Sequence, residues 1–375
     1  MGENEKARQF VVVMHGPSPV VFREGQSVHL TVHTDYGALN VACTSRWLKL
    51  PDQGVCPGHM WTEITGSAPA LRDALDVFPQ AGLLPSPIIA VSANAAVGHP
   101  QIELGFEVTP AVTERDYFQQ YVLQERMGAV STGRLIDLPA TNVLMEHVGK
   151  SEHRDRLLRA MGQYQLALEH WVLGSSILAV AHLWMAVEAL TKARIRVELA
   201  RRKLVQEVEL ATDLGVEIKK LDATIRRQFI FQGDDDCYAK AVAASDGFEH
   251  GFSPTDKLQQ LTAGVRDKTA EYVRGEILAL SDIPADIRQR LLVDPFNVPQ
   301  GPGILAKYLF GKLVGAGEQL AKEGNVYPVL LWSQTIKSCG VDGSGKINME
   351  ITDSITPQLA DGIVLQPIRH EVWKP

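Results

Sequence analysis

Leu183-Trp-Met-Ala-Val-Glu-Ala-Leu-Thr191 is apolar nearly all round, with Glu188 its only charge. A helix that is apolar on every side is buried on every side. Ser245-Asp-Gly-Phe-Glu-His-Gly251 closes a second helical segment and sets Asp246 and His250 four residues apart, on one face of a helix. Both stretches are expected as buried parts of one helical bundle, with Glu188, Asp246 and His250 meeting in it.

The surrounding sequence supports that bundle. Ser151-Glu152-His153 opens a helix through Trp171 that Gly174 ends. Ser175 or Ser176 caps the next, expected to run to about Ala211, apolar at first and basic later. A third helix is expected over Val216 to Ile230. Asp234, Asp235 and Asp236 place negative charge at the start of a fourth, where it suits the helix dipole; that helix stops at Gly251. Ser253-Pro254-Thr255-Asp256 starts the last, with Ser as N-cap and Pro at the first turn, and it reaches about Leu280. Long helices with short connections pack most simply as an antiparallel bundle.

The flanks read differently. Before the bundle, Gln9–Met14, Ser27–His33, Leu39–Lys49, Ile88–Ser92 and Gln101–Thr109 read as strands, with one short helix over Pro69–Phe78. Tyr117–Arg126 fits strand or helix, and Pro139–Val148 a short helix. After it, Ala285–Leu292 and Leu305–Lys322 read as helices. Val326–Ile336, Lys346–Thr352 and Ile363–Val372 read as strands, with a hairpin turn at Asp342–Gly345. The fold class expected is α+β and multidomain. A β-rich N-terminal domain covers 1–125, a central antiparallel helical bundle 126–282, and a small mixed C-terminal region with a β-hairpin 283–375.

The 375 residues are 45% hydrophobic, enough for a full core without a disulfide framework. Cys43, Cys56, Cys237 and Cys339 are scattered and form no CxxC pair, which fits reduced thiols in a cytoplasm. The polar N-terminus MGENEKARQF has no apolar signal core, and no stretch reads as a membrane span, so no membrane partner is expected. A net charge of −7 argues against a purely electrostatic nucleic-acid binder but leaves room for a local basic patch.

Several patterns carry chemistry. Asp246 can hold one nitrogen of His250 and orient the ring for acid–base work; the same spacing also describes a surface ion pair or a satisfied core histidine. Glu188, costly to bury alone, pairs either with Lys192 one turn on or across the bundle with His250 or Arg226. Lys192, Arg194, Arg196, Arg201 and Arg202, with Lys203, could hold RNA phosphates or simply form a solvated helix end. Gly340–Lys346 satisfies GxxxxGK, but Ile347 follows and a strand, not a helix, comes next, so it is a turn and not a P-loop. His29, His33, Cys43, Cys56 and His59 match no compact zinc pattern. No metal and no cofactor are expected.

LWMAVEALTKA followed about 55 positions later by SDGFEHGF resembles the HEPN superfamily, in particular its larger bacterial members with a β-rich N-terminal region. The resemblance covers roughly residues 150–280. It implies a helical bundle that forms a homodimer and, in many members, cuts RNA without a metal. The family motif is Arg, a polar residue, three residues, then His; Asp246 takes the polar position and His250 the histidine, while Ser245 stands where the arginine belongs. By that resemblance His250, Asp246 and Glu188 form the catalytic set, and the basic tract is the RNA-binding surface. A role in bacterial stress response or phage defence is implied too, with a protein partner for the N-terminal domain. Loss of the motif arginine removes a bidentate phosphate clamp. The second expectation is therefore a non-catalytic dimeric scaffold or ligand-binding module built on a degenerate HEPN bundle.

Overall fold

The computed structural model describes residues 8–16, 18–50, 54–112, 114–119, 133–251, 253–302, 307–315, 319–325, 328–341 and 347–372. The chain is α+β. Strands β1 (Arg8–Gly16), β2 (Val20–Val21), β3 (Ser27–Thr34), β4 (Gly37–Leu50) and β5 (Gly54–Ala68) lead into helices α1 (Leu71–Leu83) and α2 (Pro85–Ala93). Then come β6 (Gln101–Glu107), β7 (Tyr117–Gln119) and β8 (Arg134–Leu135). Six of these strands form one antiparallel sheet in the order β3-β4-β5-β1-β6-β7. Period-two alternation turns Phe10, Val12 and Met14 of β1 and Met60 and Ile64 of β5 onto one buried face, where α1 covers them.

Ile88–Ser92, expected as a strand, lies inside α2. Pro85 starts that helix, and a short run buried on all sides has no periodicity to separate helix from strand.

The helical region follows: α3 (Leu138–Lys150), α4 (Arg154–Glu169), α5 (Ser176–Arg202), α6 (Glu207–Asp213), α7 (Leu221–Ile225), α8 (Asp235–Glu249), α9 (Thr255–Leu280) and α10 (Ala285–Leu292). Helix α5 stops nine residues before the expected Ala211: Lys203 turns left-handed at φ 58°, and Gln206 with Glu209 forms a capping box for α6. The segment expected as one helix over Val216–Ile230 is a 3₁₀ turn (Ile218–Lys220), α7, and a π-helical turn (Arg226–Ile230). Helix α9 begins after Pro254, and the expected Ser253 side-chain cap is not made.

Side-chain contacts set the register. Ser176 meets Thr262, and Arg194 meets Glu276, so α5 and α9 run parallel, a departure from the expected all-antiparallel bundle. Cys237 lies against Thr269, while Gly247 packs on Ser253 and Leu258, so α8 runs antiparallel to α9. One hydrophobic core continues from Phe10 and Ile64 of the sheet through Val91 and Tyr164 to Trp184, Ile277 and Leu291.

Two helical runs, 71–93 and 176–202, are long and apolar enough to cross a membrane by length and composition alone. Their most apolar windows are 56% and 61% buried inside the fold, as core helices are.

In the C-terminal region β9 (Lys307–Val314) pairs with β12 (Val364–Val372), and β10 (Val329–Val341) with β11 (Ile347–Gln358). Residues 307–314 were expected as helix; their strand partner lies some 50 positions on, beyond any local signal. The turn at Asp342–Gly345 lies outside the described residues.

Candidate functional site

Glu188 is half-exposed, with a side-chain exposure of 50%, not buried. It faces Arg226, whose Nη2 stands 3.7 Å from Glu188 Oε1. The π-helical turn carries Arg226 over the Trp184 ring at 5.3 Å and lets its Nε donate to Thr191 Oγ1 at 3.0 Å. Lys192, the alternative partner, instead binds Asp222 (2.9 Å) and Glu207 (3.3 Å).

Asp246 and His250 lie exposed at the C-terminal end of α8, where the His250 amide donates to the Asp246 carbonyl. Their expected burial is not found, because Cys237, Ala241, Ala244 and Ser245 form the buried face of α8 and Asp246 and His250 stand on the opposite face. On the helix register, Glu188 is level with Glu271 of α9 and His250 with Thr255. At 1.5 Å per residue these levels are roughly 24 Å apart. The three expected site residues therefore do not meet. Arg226 and Arg227, which ion-pair with Glu188 and Asp235, stand near Glu188's end of the bundle rather than beside His250. Ser245 is buried, and its Oγ donates to Glu249 Oε1 at 3.1 Å.

The basic tract is largely neutralised by acids. Arg194 makes a bidentate pair with buried Glu276, at 2.6 and 2.7 Å. Arg201 and Arg202 converge on buried Glu198, and Arg202 also reaches Asp213. Burial pulls the Arg194 guanidinium down, and Glu276 with Glu198 more than reverses it; burial likewise pushes the Glu276 carboxyl up against the pull of Arg194. Arg196 is exposed.

Two cavities adjoin the helices. The first, about 550 Å³, lies between the α3–α4 turn, the C-terminal half of α5 and the end of α9. Lys150, His153, Arg194, Val197, Leu280 and Asp282 help line it. His153 is buried with its Nδ1 unpartnered among the described residues, and its Nε2 stands 3.5 Å from Glu152. Burial holds that imidazole below its ordinary value; Glu152 opposes the shift and Arg196 and Arg156 add to it.

The second cavity, about 560 Å³, is bordered by Asn94, Tyr164 and Arg274. Arg274 is fully buried and donates to the carbonyls of Val91, Ser92, Leu291 and Phe296. Arg134 donates to Ala93, Asn94 and Val298. Burial lowers both guanidiniums to about 10. They cap the carbonyls that α2 leaves open at its end, so this cavity is a structural junction.

Arg274, His153 and Asp282 were missed in the sequence. Arg274 had a signal: a cation in the apolar run Tyr272–Leu280. His153 and Asp282 look like ordinary loop residues. Among the described residues no group of three His, Cys, Asp or Glu is placed to hold a metal ion. No family model, curated protein or solved structure matches the chain.

Proposed function

We propose that the protein is a non-catalytic binding module whose helical region is a degenerate HEPN-like bundle that self-associates, working in the cytoplasm. Ser245 carries this reading. It stands where the motif needs an arginine, and its hydroxyl is tied to Glu249, so this turn offers no phosphate clamp. The neutralised basic tract points the same way, since cations already paired with carboxylates release few counterions on meeting RNA. The cytoplasmic assignment is supported by Cys43 and Cys237, both buried free thiols.

One observation favours the RNA-cleaving alternative. Asp246 and His250 are exposed on one helical turn, open to a large substrate. A mixed pool of labelled RNAs, incubated metal-free with the wild-type chain and with His250→Ala, separates the two. The binding-module reading expects no cleavage by either. Cleavage by the wild type that disappears in a folded His250→Ala protein overturns it and makes the protein a ribonuclease.

A further inference from the structure

The cavity beside the α3–α4 turn combines features the proposed function does not use. Its volume, about 550 Å³, is that of a small-molecule site. Arg194 forms part of its wall, and two of its three nitrogens, Nε and Nη2, are fixed on Glu276. The third, Nη1, comes no closer than 3.8 Å to Glu198 Oε1. A guanidinium locked by a bidentate pair is rigid, and its remaining edge is a preorganised donor for a carboxylate. Lys150 on the rim adds positive charge, although it also pairs with Glu146.

Acids line the cavity as well. Asp282 has no ion-pair partner among the described residues and sits where α9 presents its last carbonyls, the negative end of the helix dipole. Glu152 also lines it, beside His153 Nε2. Burial keeps His153 from adding a positive charge that would offset these acids. The aliphatic part of the lining is Val197, Ala200, Ala279 and Leu280.

We propose that this cavity binds a small amino-acid-like zwitterion, its carboxylate on Arg194 Nη1, its ammonium on Asp282 and the α9 carbonyls, and its aliphatic body against Val197 and Leu280. A simple anion would leave Asp282 and Glu152 as repulsion, and a simple cation would face Arg194 and Lys150. A molecule carrying both charges answers the cations and the acids of the lining together. The site stands apart from His250, and the proposal holds whether or not the bundle acts on RNA.

Three probes of nearly one shape test it by isothermal titration calorimetry on the full chain: L-leucine, 4-methylpentanoate, which lacks the amine, and 3-methylbutylamine, which lacks the carboxylate. L-leucine should bind at least about tenfold more tightly than either. Asp282→Asn should remove most of that advantage over 4-methylpentanoate; Asn tolerates the left-handed backbone at 282 (φ 52°), so the fold is kept. The double variant Arg194→Leu/Glu276→Leu, which replaces a buried ion pair by apolar side chains, should bind none of the three. Val197→Trp, which fills the cavity without touching that pair, should do the same and serves if the double variant fails to fold. No heat with any probe, equal binding of L-leucine and either partial analogue, or L-leucine binding that survives Val197→Trp would each overturn the proposal.

Discussion

Arg194 and Glu276 form an ion pair that is mostly out of water, and removing one partner strands the other. Glu276→Gln should cost about 3–5 kcal/mol of stability, read as a lower urea midpoint. The double Leu variant should recover much of that loss, because no lone charge remains in the core. A full loss in the double variant would show that side-chain fit, not charge, dominates at this contact. Histidine protonation acts at the same scale. Burial holds His59, His153, His170 and His182 below the ordinary histidine value of 6.5. The folded chain then binds fewer protons than the unfolded chain once the pH falls below about 6.5. Stability contributed by these rings is complete above that pH and declines as the pH falls below it. The His170 and His182 rings stack at 5.4 Å, so His182 also resists charging beside His170. His170→Gln/His182→Gln should flatten the fall of melting temperature between pH 7 and 5. An unchanged slope would remove these two rings from the explanation. At this scale the sequence was a poor guide to environment. Glu188 reads as buried because its neighbours in the chain are apolar, yet α5 keeps a narrow exposed stripe, and Glu188 lies on it.

Elements with local signals were legible, and those decided by distant partners were not. The strands at 27–34 and 37–50 alternate, and Gly251 at φ 64° closes α8 as expected. Helix α2 and strand β9 were misread because their identity depends on what surrounds them: a fully buried slot for one, a strand at 364–372 for the other. The end of α2 shows how such an element is held. Its open carbonyls meet Arg274 from α9 and Arg134 from β8, so two guanidiniums far away in the chain replace the usual local cap. Arg274→Leu would leave the buried carbonyls of Val91, Ser92 and Leu291 without that donor, while Phe296 keeps Asn94; at about 1 kcal/mol or more each, a loss of at least about 3 kcal/mol is expected. Arg274→Lys should recover no more than half, since an ammonium cannot span four acceptors. A midpoint within about 1 kcal/mol of wild type for Arg274→Leu would mean that water substitutes freely at this junction.

One core joins the N-terminal sheet to the long helices, which leaves the outer stripe of α5 as a surface for other contacts. Leu178 and Met185 are seven residues apart on that stripe and exposed, with Leu173 just before α5 and Phe248 on α8 also exposed. Seven residues are nearly two helical turns, so Leu178 and Met185 form one ridge rather than two scattered contacts. Single exposed apolar residues are ordinary, but a ridge of this kind on the central helix fits self-association through the helical region. Such an interface is isologous: each ridge meets its own copy, and one substitution enters the contact twice. Leu178→Glu with Met185→Glu would then set like charges against each other across the symmetry axis without touching the core. Multi-angle light scattering at tens of micromolar should give twice the chain mass for the wild type and one chain mass for the double variant, with the two melting alike at low concentration. A monomeric wild type, or a dimer that survives both glutamates, would move any partner surface away from α5 and leave the sheet and the C-terminal strands as the places to look.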